Sequence, residues 1–134
     1  MYLATLSLEQ KQLFMEFAYR LACIDGEYSN MEVMTMDVYR QETGIEFDEN
    51  SVTRSADEII SRLAEVCDAR ELRIIVFEMM GLALADGKYD EKEKRLFSDM
   101  MVRFGLDAGF ANDCKKVLED YFVLQNRINE IVLG

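Results

Sequence analysis

Apolar residues recur along this chain at intervals of three and four, and nowhere do they alternate with polar ones as they would in a half-buried strand. Proline, the residue that most often breaks a helix, is absent. The pattern predicts an all-α fold, a compact bundle of about six to seven helices. Phe14, Phe17, Ala18 and Leu21 mark the apolar face of a first helix, and Phe97, Met100, Met101 and Phe104 that of a later one. Cys114, Val117, Leu118, Tyr121, Ile128 and Ile131 mark the last, and each stripe is expected to find a partner helix.

Helix starts are legible where a side-chain oxygen can accept from an orphan amide while a Glu or Gln three residues on reaches back. Ser7 with Gln10, Ser29 with Glu32, Ser55 with Glu58, Asp68 with Glu71 and Asp90 with Glu93 all fit, which predicts five helices. Asp107 is the expected cap of a sixth, with Gly109 weakening its first turn. Gly26, Gly44, Gly87 and Gly105 stand where a left-handed residue would end a helix.

The sequence also repeats itself. Sliding it by 61 residues lays Leu21-Ala22-Cys23-Ile24-Asp25-Gly26-Glu27-Tyr28-Ser29 on Leu82-Ala83-Leu84-Ala85-Asp86-Gly87-Lys88-Tyr89-Asp90, and the register holds to Gly44 on Gly105. A single domain over 1–134 follows, built from two pseudo-symmetric helix–turn–helix units at about 7–45 and 68–106. A connector over 46–67, with an acidic stretch at 46–49 and one short helix, joins them, and a C-terminal helix over about 108–133 completes the chain.

The two Asp-Gly turns admit two readings. As turn chemistry, the glycine supplies positive φ and the following Ser29 or Asp90 opens the next helix. Asp25 and Asp86, however, sit at the negative end of a helix dipole, which costs a carboxylate about 0.3–1 kcal/mol. Either local amides offset that cost or a cation does. The spacing from each aspartate through glycine to Glu32 or Glu93 matches the second half of an EF-hand loop. The first half does not match, because Leu21, Cys23, Leu82 and Leu84 stand where oxygen ligands belong. A divalent-cation site would therefore have to pool Asp25, Glu32, Asp86, Asp90 and Glu93 from both turns.

Composition narrows the chemistry. The net charge of −11 is concentrated early, with 3 basic and 10 acidic residues in the first 50 positions against 12 and 16 in the rest. That field repels phosphate backbones, so nucleic acid is excluded as an expected partner, while cations and basic protein surfaces are favoured. The total absence of histidine removes the commonest metal ligand and general base. Cys23, Cys67 and Cys114 form no CxxC pair and are expected to be reduced core residues.

No secretory signal pattern opens the chain, and the most apolar run, 74–85, is too short to span a bilayer, so a cytoplasmic location without membrane insertion is expected. Glu78 within that run is the one carboxylate worth inspecting for catalysis, and on a helix it is expected to face solvent or an arginine. Met31, Met34 and Met36 lie at a spacing that suits core filling or an adaptable binding surface.

At the turns the chain resembles the TerB-like family of bacterial tellurite-resistance and stress proteins. The mark is an Ala-x-Ala-Asp-Gly turn followed by a helix with glutamate on its first turn. Ala83-Leu84-Ala85-Asp86-Gly87 with Glu93 carries it closely, and Ala22-Cys23-Ile24-Asp25-Gly26 with Glu32 carries it with two substitutions. The chain is similar also to the N-terminal module of a membrane-anchored DnaJ-type co-chaperone. The resemblance implies an all-α domain of roughly seven helices without catalysis, acting in membrane-associated stress complexes with other proteins, with a divalent cation at the acidic turns as the alternative function. The methionine content and the acidic connector depart from the family pattern.

Overall fold

The computed structural model describes residues 1–24, 26, 28–85 and 89–134. Among these residues there are six α-helices and no strand: α1 (Leu8–Ala22), α2 (Asn30–Thr43), α3 (Ala56–Val66), α4 (Ala69–Leu84), α5 (Glu91–Phe104) and α6 (Phe110–Leu133), with short 3-10 turns at Leu3–Thr5 and Glu49–Ser51.

Five helices start as their sequences dictate. Ser7, Ser29, Ser55, Asp68 and Asp90 each accept a hydrogen bond from the amide three residues on, and the side chain there accepts from the cap's own amide. The sixth differs from expectation. Gly109 occupies the cap of α6 without a side-chain bond, and Asp107 accepts from the Gly109 amide at 2.8 Å. Asp107 thus closes an Asx turn ahead of the helix, because the Phe110 amide is already taken by the Asp107 carbonyl. Gly44 (φ 73°) and Gly105 (φ 65°) end α2 and α5 in the left-handed conformation. Gly26 also has positive φ, but α1 has already ended at Ala22, with Cys23 as its cap.

The hydrophobic core centres on α1 and α4, which pack on each other. From α1, Leu13, Phe14, Phe17 and Ala18 are fully buried; from α4, Ile75, Val76, Met79 and Met80 are. Helix α1 carries α2 and α3, and α4 carries α5 and α6. The stretch 46–67 therefore does more than connect. Its helix α3 buries Ile59, Ile60 and Leu63 and packs on α1 as α6 packs on α4, so each unit has three helices in space. The slide of 61 residues does not show this third member, because the acidic loop shifts the register before α3.

Three arginines fasten that loop. Arg40 donates to the Phe47 carbonyl and to Glu49 while its guanidinium lies 5.7 Å from the Phe47 ring. Arg20 donates to the carbonyls of Arg54 and Val52. Arg54 grips buried Glu16 through two hydrogen bonds of 3.0 Å. Arg103 of α5 reaches Asp57 and Ser61 of α3.

The C-terminal stripe is only half covered. Cys114 and Leu118 are buried against the body, whereas Val117, Tyr121, Ile128 and Ile131, expected to find a partner helix, are exposed, and every residue over 123–134 is exposed. No helix among the described residues is long and apolar enough to cross a membrane.

Candidate functional site

The helix starts that follow the two Asp-Gly sequences share their capping chemistry and, among the described residues, differ in what the nearby tyrosine meets. In the first, Glu32 Oε1 accepts from the Ser29 amide at 3.1 Å and Ser29 Oγ accepts from the Glu32 amide at 3.1 Å. In the second, Glu93 accepts from the Asp90 amide at 3.4 Å and Asp90 Oδ1 from the Glu93 amide at 3.0 Å. Both glutamates are buried. Of the five candidate metal ligands, Glu32, Asp90 and Glu93 thus each commit an oxygen to a helix start. Asp25 and Asp86 lie outside the described residues. Among the described residues no group of three His, Cys, Asp or Glu comes together in a way that would hold a metal ion.

Around the first turn the tyrosine meets a carboxylate. Tyr28 donates to Glu49 Oε1 at 2.8 Å, and Arg40 donates to the same oxygen at 2.9 Å. The Tyr28 ring stands edge-on to Tyr19 at 5.9 Å. Burial, then the bond to Glu49, pushes the Tyr28 phenol far above its ordinary range. Around the second turn the tyrosine meets cations. Lys94 and Lys115 place their ammonium groups 6.0 and 5.9 Å from the Tyr89 ring, which also packs edge-on to Phe97 at 6.0 Å. These residues border a hollow of about 410 Å³. The sequence repeat does not foretell this asymmetry, since Glu49 and Lys115 lie outside the matched segments.

The remaining reactive groups are occupied or quiet. Glu78 faces neither solvent nor an arginine, as the helix pattern suggests it should. It is 6% exposed, and its Oε1 accepts from the Met1 α-amino group at 2.7 Å and from the Tyr2 amide at 3.0 Å. The chain start folds back across α4 and brings a cation that no helical periodicity reveals. The three cysteines are free. Only Cys114 is fully buried, while Cys23 and Cys67 are half-buried at the ends of α1 and α3. Burial pushes the Cys67 thiol up to about 12 and the Cys114 thiol up to about 11, and it raises Cys23 too, so the thiolate nucleophile is scarce at neutral pH.

Of the three methionines on α2, Met36 is core, while Met31 and Met34 are 50% and 61% exposed and share an outer face with Val38, 58% exposed. A second apolar feature, a groove of about 600 Å³, runs between α4 and α6 and is lined by residues that include Ile74, Phe77, Phe110 and Tyr121, with Arg70 and Arg73 among them.

A doubled helical unit, its second helix opened each time by a capping box that follows an Asp-Gly sequence, defines the class: an all-α protein of two like halves. The family model described as tellurite resistance protein TerB matches residues 35–116, more than half of the chain, and the chain belongs to the TerB family. That match contains the second Asp-Gly turn and begins after the first. No curated protein and no solved structure matches the chain.

Proposed function

We propose that this TerB-family protein is a non-catalytic protein-interaction module of a stress or tellurite-resistance-type system, acting in the cytoplasm on other proteins, including members of a membrane-associated complex. The observation that carries the reading is the outer face of α2. Met31, Met34 and Val38, spaced three and four residues apart, place an exposed apolar stripe on the most acidic part of the chain. Methionine side chains are flexible and polarisable, so such a stripe adapts to varied apolar surfaces, while the surrounding acidity favours a basic rim on the partner. The quiet thiols and the Glu78 carboxylate already engaged by an amine support a role without catalysis.

Immobilised protein tests the reading when wild type, Met34→Glu and Val102→Glu are compared. Val102, on α5, is also exposed, so it controls for added surface charge. Met34→Glu is expected to abolish specific capture of a protein partner that Val102→Glu retains, with both variants melting like wild type. Equal capture by all three would contradict the reading. The alternative, a divalent-cation protein using Asp25, Glu32, Asp86, Asp90 and Glu93, lacks such support among the described residues, where capping already engages three of the five.

A further inference from the structure

Helix α6 carries a feature that neither the family match nor the α2 face accounts for. From Val117 onward, one residue beyond the match, five of its apolar residues, Val117, Tyr121, Leu124, Ile128 and Ile131, follow alternating steps of four and three, with Val123, Val132 and Leu133 exposed beside them. This is the heptad seam of a coiled coil. Its earlier members Phe110 and Cys114 touch the body, but Leu124 and Ile131 are 52% and 81% exposed. A helical overhang of three turns that is exposed throughout is only marginally stable in water, and an apolar stripe of that length is an interaction surface.

We propose that the occupant is a second copy of this chain, its α6 laid antiparallel along the first. One register satisfies the whole seam. Tyr121 opposes Leu124 of the second copy, Val117 opposes Ile128, and Cys114 opposes Ile131, each contact occurring twice about a twofold axis. The flanking charges choose this orientation. Asp120 and Arg127 both occupy the position just before a seam residue, and in the antiparallel register each faces the other on the second helix, giving two ion pairs. A parallel register would set Asp120 against Gln125 and Arg127 against Val132, with no charge complement. The groove between α4 and α6 is continuous with the seam, since Phe110, Cys114, Val117 and Tyr121 line both, and it receives Ile128 and Ile131 of the second copy. The association does not depend on the α2 face.

Sedimentation equilibrium of the full chain over a wide concentration range tests this, with helix content and melting followed alongside. Wild type is expected to form a dimer that Leu124→Glu and Ile128→Glu each convert to monomer while the body keeps its fold. Asp120→Arg and Arg127→Asp alone are each expected to weaken the dimer about tenfold, and the double exchange to restore it. A wild type that stays monomeric overturns the proposal and leaves the seam to a different helix. A dimer that survives Leu124→Glu overturns it also, and one indifferent to the charge exchanges overturns the antiparallel register.

Discussion

The α-amino group of Met1 lies 2.7 Å from Oε1 of Glu78, a residue 77 positions away in the sequence. Glu42 of α2 meets the same amine at 2.7 Å, so one cation joins the chain start to both α2 and α4. The Tyr39 hydroxyl adds a hydrogen bond to the Glu78 carbonyl at 2.9 Å. Because the amine is half exposed, the contact contributes modestly. Glu78→Gln is expected to lower unfolding free energy by about 1 kcal/mol in urea titrations at neutral pH. An unchanged midpoint would deny the amine any structural part.

The same contact makes stability fall on the alkaline side. Burial opposes the charge on the Met1 amine, but the hydrogen bonds to Glu42 and Glu78 outweigh it, and the pKa rises above 8.0. A raised folded pKa means that the stabilisation is complete below pH 8 and is lost as pH climbs through the folded value. Burial raises the Cys67 thiol from 9.0 to about 12, and its contribution is likewise complete below pH 9 and lost above it. Melting temperature is expected to decline steadily from pH 8 to pH 11, and the gap between wild type and Glu78→Gln to shrink over that interval. A flat profile would contradict both shifts.

Glu16 is buried and gripped by Arg54, with Gln12 as a further donor at 3.0 Å. Removing the arginine leaves a buried carboxylate with one donor, which costs more than removing both charges. Arg54→Met is expected to destabilise by about 2 kcal/mol, reduced from fully buried cases because Arg54 is partly exposed, and Glu16→Leu with Arg54→Met to recover part of that loss. Denaturant midpoints of the two variants measure the difference.

Helix starts give a graded comparison. Ser55→Ala and Asp68→Ala each remove a true cap and are expected to cost about 1 kcal/mol. Asp107→Ala removes only an Asx turn and is expected to cost a few tenths of that. Thermal melts of the three variants under one buffer decide it, and an equal loss at Asp107 would restore it as the cap of α6.

What the sequence discloses here depends on how far apart the partners are. Ser7 and Gln10, or Asp90 and Glu93, lie three residues apart, so the capping boxes are written locally and are found where expected. Asp107 misleads because an N-cap and an Asx turn ask for the same residue type. Glu78 is opaque because its partner is the chain start, and no periodicity encodes a contact across 77 positions. The α6 stripe reveals a face at Val117, Tyr121 and Ile128, but periodicity is silent on whether a helix of the same chain covers it. The role of α3 as the third member of its unit is hidden by the loop whose Phe47 and Glu49 are fastened by Arg40. At the turns, Glu32, Asp90 and Glu93 are legible as cap residues, and the alternative reading of Asp25 and Asp86 falls outside the described residues.

The residues that follow the two Asp-Gly sequences cap helix starts, and the proposed work is done on exposed helix faces. Calorimetric titration of the full chain with calcium and with manganese to millimolar concentration tests that division most directly. Heat of dilution alone is predicted for both ions. A saturable heat that disappears in Asp25→Asn or Asp86→Asn would contradict it and make the turns a cation site.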